Sequence, residues 1–138
     1  MVARKRRFSD RLAASPLRRL TGKHTVLLEY VAPRSGALVS LPVWAVPWAG
    51  GWVVVVGKAE AKTWWKAFRR ELPATIVDVR SRHEVVGRLL ATDHVYYDAL
   101  AAYVAAIPAA GRVAKPGVPI VFFRARLPEA PSPLLGRV

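Results

Sequence analysis

The sequence predicts an α+β domain in which about six antiparallel strands close into a small barrel, with one helix after the third strand and another before the last. Three observations carry this expectation. Runs rich in β-branched and aromatic residues recur along the chain, among them TVLLEYV at 25–31, WVVVV at 52–56 and VPIVFFRA at 118–125. Short turn signals separate several of them (PRSG at 33–36, AGG at 49–51, SRHE at 81–84), as hairpins require. Two stretches, near 60–72 and 94–107, change to a helical period.

Taken in order, residues 1–8 read as a basic flexible arm. From Ser9, an N-cap residue type, DRLAASPLRRL sets Leu12, Leu17 and Leu20 among arginines, with Pro16 breaking the amphipathic helix. Thr25 to Val31 and Leu38 to Val46 form a hairpin around the PRSG turn. After Ala49-Gly50-Gly51, Trp52 to Val56 suits a strand buried on both faces, and Gly57 ends it. Between Glu60 and Leu72, the positions of Trp65, Phe68 and Leu72 match one helical face, and Pro73 is read as its stop. Ala74 to Val79 and Val85 to Ala91 follow as strands, then a helix from His94 to Ile107. Val118 to Ala125 is the last strand, its early Pro119 pointing to a strand start or an edge. The expected organisation is therefore an arm at 1–8, a single barrel domain at 9–127 and a disordered tail at 128–138.

With 138 residues, 53% of them apolar, the chain can bury one core and escapes the compositional signature of disorder. The absence of cysteine excludes a disulfide, a thiolate metal site and a cysteine nucleophile, while His24, His83 and His94 lack zinc-ligand spacing. No metal is expected. Twenty-two Lys and Arg against nine Asp and Glu give +13, a field that attracts polyanions: nucleic acid, an anionic membrane face or an anionic cofactor. No secretory h-region follows the basic start, and no apolar stretch reaches the ~20 residues of a spanning helix. A cytoplasmic location is expected, with the arm able to touch the inner membrane face.

Side-chain acid–base signatures are missing, including Gly-x-Ser-x-Gly, a phosphate-binding glycine loop before a helix, and His-Glu-x-x-His. Glu29, Asp78 and Glu84 sit in or beside strands, where an ion pair or a solvated face is the ordinary role. Aromatic residues are more informative. Core filling is the favoured reading for Trp52 and Trp65, whereas Trp44 and Trp48, of equal strand parity around Pro47, suit the lining of a flat-ring pocket. A basic set stands nearby: Arg34 in the first turn, Lys58 after the third strand, and Lys62 and Lys66 at the start of the expected helix. Any one lysine is ordinarily a solvated charge, but several converging on a helix start would make a phosphate site.

At GKAEAKTWWKAFR (57–69) the chain resembles the deazaflavin-dependent nitroreductases, a family of actinobacterial oxidoreductases in which a strand ending in Gly runs into a helix opening Lys-Thr-Trp-Trp or similar. The order of the other motifs is similar too: the Arg34-Ser35-Gly36 turn, Ser40 two residues before Pro42, PATIV at 73–77, a strand containing Gly87, and a closing Pro-Ile-Val at 119–121. The resemblance covers roughly 9–127. It implies a split β-barrel, often dimeric, related to barrels that bind flavin mononucleotide (FMN). It further implies coenzyme F-420 as the cofactor, with FMN as the alternative, and hydride transfer to a quinone, nitroaromatic or other conjugated acceptor. A cofactor that carries the hydride accounts for the missing acid–base residues.

The cofactor-binding residues so implied are Arg34, Ser35, Ser40, Lys58, Lys62, Trp64 and Lys66, and the tyrosines expected at the acceptor site are Tyr96 and Tyr103. Where the family turn reads Gly-Arg-Lys/Arg-Ser-Gly this chain has Ala32 and Pro33 in the first two places, which gives Lys58 or Lys62 the missing cation's role. The competing class is a cofactor-free basic protein acting on nucleic acid or an anionic membrane. Nucleic acid is not expected, because the aromatics follow periodicities that bury them.

Overall fold

A computed structural model describes residues 23–126; the basic arm, the broken helix at 9–20 and the tail at 128–138 lie outside the described residues. Seven strands form one antiparallel sheet: β1 (Thr25–Val31), β2 (Leu38–Trp44), β3 (Val46–Trp48), β4 (Gly51–Val55), β5 (Leu72–Val77), β6 (Arg82–Leu89) and β7 (Ile120–Ala125). Among the described residues one α-helix, α1, spans His94–Ala106. Sheet order is β2-β1-β5-β6-β7-β4-β3. This order puts β2 and β3 on opposite edges although only Ala45 separates them in sequence. The sheet must therefore curl until its edges meet, and the chain crosses the seam at Ala45, which is 3% exposed. The result is a split barrel.

Alternation along the strands sorts side chains into two cores. Inward residues include Leu28 and Tyr30 of β1, Val54 of β4, Ile76 of β5, Val85 of β6 and Phe123 of β7. On the outer face of β3, β4 and β7, Val46, Val53, Val55 and Ile120 receive α1 through Tyr96, Ala99, Leu100 and Tyr103, an i, i+3, i+4, i+7 stripe. Asp93 caps α1 by accepting hydrogen bonds from the Val95 and Tyr96 N–H groups at 2.9 and 3.4 Å.

Three expectations are corrected. The strand expected at 38–46 is two strands, because the chain bends at Ala45 to change edges, which raises the count to seven. The helix expected at 60–72 is instead a pair of short 3₁₀ turns, Ala59–Ala61 and Trp64–Arg69. Barrel closure decides this segment. Phe68 is fully buried and plugs the barrel, its ring edge-on to Tyr30 at 5.0 Å and Phe123 at 5.1 Å. An added Cβ at Gly87 would lie 2.6 Å from Phe123 and 2.7 Å from Phe68, so glycine is what lets both rings approach the sheet. Lastly, Pro73 does not end a helix but lies in β5. Its stretch of β5 pairs with β6 alone, since β1 engages only Thr75–Val77, and the missing N–H costs no ladder bond on that side.

Candidate functional site

A cleft of about 620 Å³ opens along the barrel seam. One wall is the outer strand β2 from Leu41 to Trp44, and the other is β4 and its continuation from Val54 to Gly57. The β3–β4 ladder ends at Val46↔Val53, so β4 beyond Val53 has no strand partner on this side, and β2 pairs only with β1. Two open strand edges thus face each other across an apolar slot. Such edges present backbone donors and acceptors to whatever lies between them.

Lys58, Lys62 and Trp64 stand at one end of the cleft, and Tyr103 and Val113 reach it from the α1 side. Lys58 is held in a left-handed conformation (φ 54°, ψ 47°) where β4 turns into the first 3₁₀ turn. A non-glycine residue there is strained and needs a compensating reason. Gly57 precedes it, and a Cβ at that position would lie 2.8 Å from a Val113 methyl group, so glycine admits Val113 to the cleft wall. Trp44 and Val113 remain exposed, which gives the mouth an apolar rim.

Tyr103 is 3% exposed, and its hydroxyl is engaged twice. It donates to the Trp44 carbonyl of β2 at 3.0 Å and accepts from the Val55 N–H of β4. A phenol therefore joins the two strand edges where they are too far apart to pair. Burial pushes its pKa up to about 12, against a smaller lowering by the Val55 N–H. Its hydroxyl proton is directed at the Trp44 carbonyl, a contact that ties α1 to the β2 wall of the cleft.

The structure brings Lys58, Lys62, Trp64 and Tyr103 of the sequence-predicted set together at the cleft. It does not bring the others. Arg34 and Ser35 are exposed in the β1–β2 turn, where the Ser35 hydroxyl accepts from the Ala37 N–H at 3.2 Å. Lys66 points outward over the Trp65 ring, 5.9 Å from its centre. Tyr96 packs under α1, its hydroxyl donating to the Val118 carbonyl at 2.6 Å and accepting from the Gly117 N–H at 2.9 Å. Ser40 lies on β2 short of the cleft wall, and its buried hydroxyl has no hydrogen-bond partner among the described residues. Trp48 also turns away, meeting Phe122 edge-on at 5.4 Å. Thr25, Leu41, Val43 and Val113 line the cleft without having been singled out in the sequence. Apolar residues on an edge strand carry no chemical signal, and only the proline at 42 marks β2 as an edge.

Carboxylates elsewhere have structural roles. Glu29, 6% exposed, pairs with Arg82 at 2.9 Å. Asp78 caps the β5–β6 turn, accepting from the Arg80 and Ser81 N–H groups at 2.8 Å. Ser81 and Asp78 both approach the same ring nitrogen of His83, Nε2, at 3.0 and 3.3 Å. A relay needs one partner on each ring nitrogen, so this grouping is no catalytic triad. Among the described residues no group of His, Asp or Glu is placed to hold a metal ion. None of their helices is long and apolar enough to cross a membrane.

No family model and no curated protein matches the sequence. Solved structures do match the fold. An F420-H2 dependent reductase (FDR-A) is similar over 76% of this chain and 97% of its own, at 16% identity and a TM-score of 0.60. A protein described as a domain-swapped dimer is similar over 87% and 99%, at 16% identity and a TM-score of 0.61. HutZ, the heme storage protein from Vibrio cholerae, is similar over 83% and 89%, at 8% identity and a TM-score of 0.61. At such identities the likeness is one of architecture, and the chain takes its place among the split barrels, a fold that serves both reductases and heme-binding proteins.

Proposed function

We propose that this chain is a deazaflavin-dependent oxidoreductase that binds coenzyme F-420 in the seam cleft and reduces a quinone, nitroaromatic or other conjugated acceptor. The observation that carries the reading is the slot between two open strand edges with Lys58 and Lys62 at one end. A flat ring with a hydrogen-bonding rim suits backbone edges, and a phosphate or carboxylate tail suits the lysines. FMN shares the flat ring and the phosphate and is the alternative cofactor. Heme fits less well. Among the described residues no His, Cys or Met lines the cleft, and the phenol of Tyr103 there has a raised pKa and a committed hydroxyl, so these residues offer no axial ligand.

When bound, the reduced deazaflavin supplies a hydride to the acceptor. The protein binds, orients and excludes water. Leu41, Val43, Val54 and Val56 make the slot dry, Tyr103 sets the spacing of its walls, and the lysines hold the anionic end. The acceptor enters past Trp44 and Val113, which form the exposed rim of the cleft. The neighbour described as a domain-swapped dimer supports a homodimer as part of this reading. A cytoplasmic location and contact of the arm at 1–8 with an anionic membrane complete it.

Titrating the protein with coenzyme F-420 and with FMN, followed by the absorbance of each, tests the assignment. F-420 should bind, and Lys62→Ala should weaken it more at low than at high ionic strength, because salt already screens the lost attraction. Binding of neither compound, or tight binding of hemin alone, would overturn the proposal.

A further inference from the structure

A second groove, of about 590 Å³, lies on the outer face of the β6–β7 pair, away from the seam. It is bounded by Arg69 and Glu71, where the second 3₁₀ turn leads into β5, and by Asp93 and Val95 at the start of α1. Its floor is apolar, made by Val86 of β6 and Phe122 of β7, and Trp48 fixes the Phe122 ring edge-on from the far side. Arg88 and Arg124 rise from that floor. In register, Arg88 faces Phe122 and Val86 faces Arg124, so the two arginines are diagonal neighbours on one face, roughly 7–8 Å apart at the backbone.

The charges of this groove do not balance. Glu71 reaches Arg124 at 3.6 Å, but both side chains are half exposed, a pairing that water and salt weaken. The Asp93 carboxylate is engaged in capping α1. Arg69 stands 5.8 Å above the Trp65 ring with no carboxylate partner, and Arg88 has no ion pair among the described residues. Three guanidinium groups thus stand against two carboxylates, an excess of one positive charge, and those of Arg69 and Arg88 make no ion pair among the described residues, beside an apolar floor. Guanidinium forks recognise carboxylate and phosphate oxygens in pairs.

We infer that this groove is a second binding site, for a small amphiphilic anion: a phosphate or carboxylate held by Arg88 and Arg69, with an aromatic or aliphatic body laid on Val86 and Phe122. A volume of about 590 Å³ is that of a small-molecule site. None of its residues lines the seam cleft, so this site is independent of the proposed function.

The test is a titration of the full chain with phenyl phosphate, and separately with inorganic phosphate, followed by backbone amide NMR. Phenyl phosphate should shift the amides of residues 86–91 and 122–124 and leave those of 54–58 unmoved. Arg88→Gln should weaken this binding at least fivefold, while Lys62→Ala should not change it. Arg88 is exposed, so the substitution should leave the melting temperature unchanged; Arg69→Gln provides a second variant with the same expectation. Equal binding of inorganic phosphate would overturn the role of the apolar floor. Shifts confined to the seam cleft, or full binding by both arginine variants, would overturn the site.

Discussion

Replacing Lys58 by glycine should raise the melting temperature and weaken cofactor binding together. Lys58 has φ 54° and ψ 47°, where a side chain's Cβ crowds the following carbonyl. That crowding costs roughly 1–2 kcal/mol, and glycine, which escapes it, loses about 0.5–1 kcal/mol more backbone entropy on folding. The difference leaves a gain of about 0.5–1 kcal/mol, which for a domain of this size raises the melting temperature by about 2–4 °C. Lys58→Ala is the control, since it removes the same charge but keeps the Cβ. Both variants should bind coenzyme F-420 a few-fold more weakly at low salt, the loss of one exposed charge-assisted contact worth about 0.5–1 kcal/mol. Melts followed by far-UV circular dichroism, with an absorbance titration on the same samples, give both readouts. Equal melting temperatures for Lys58→Gly and Lys58→Ala would refute the strain argument. Unchanged affinity in both would remove Lys58 from the site.

Gly87→Ala should cost about 1–3 kcal/mol, because the new methyl would meet Phe123 and Phe68 at 2.6–2.7 Å, and a thermal melt equal to that of the parent would show that the plug is looser than described. Tyr103→Phe should lose about 1–3 kcal/mol by leaving the Trp44 carbonyl and Val55 N–H without the phenol, while turnover of an acceptor, where folded protein is compared, keeps its pH profile. The same residue shapes the alkaline limb of stability. Its folded pKa of about 12 lies above the usual value of 10, so its contribution is complete below pH 10 and lost as pH rises towards 12, a decline that denaturant titrations should find reduced in Tyr103→Phe. For Asp78, burial raises the pKa but the Arg80 and Ser81 N–H groups and His83 outweigh it and the net shift is downward. Its stabilisation of the β5–β6 turn is therefore present above the ordinary carboxylate pKa and fades as pH falls through the depressed one. Asp78→Asn should show less acid sensitivity than the parent, and an identical acid limb would refute this.

Local sequence was sufficient for most of the strands and for α1, because their signals are satisfied by near neighbours. TVLLEYV, WVVVV and VPIVFFRA each carry enough β-branched and aromatic residues to prefer extended backbone, and the helix expected from His94 to Ile107 is found at His94–Ala106. The basic character of residues 57–70 was likewise legible, and two of its lysines do reach the cleft. The segment's helical period was misleading. Its aromatic spacing equally serves a plug, and burial of Phe68 between Tyr30 and Phe123, both far away in sequence, outweighed the local preference for a longer helix.

Tertiary structure alone decided where the cleft lies. The cleft exists because β2 and β4 become facing edges once the sheet curls, and no periodicity within either strand encodes that meeting. The same closure brought Tyr103 between the Trp44 carbonyl and the Val55 N–H, 59 and 48 residues away, and set Tyr96, one face-sharing turn pair earlier on α1, against Val118 instead. Residue type and spacing determined which groups could serve, because those properties act over a few neighbours. Which of them converge was left to barrel closure, where contacts distant in sequence and the burial of apolar side chains outweigh local preference.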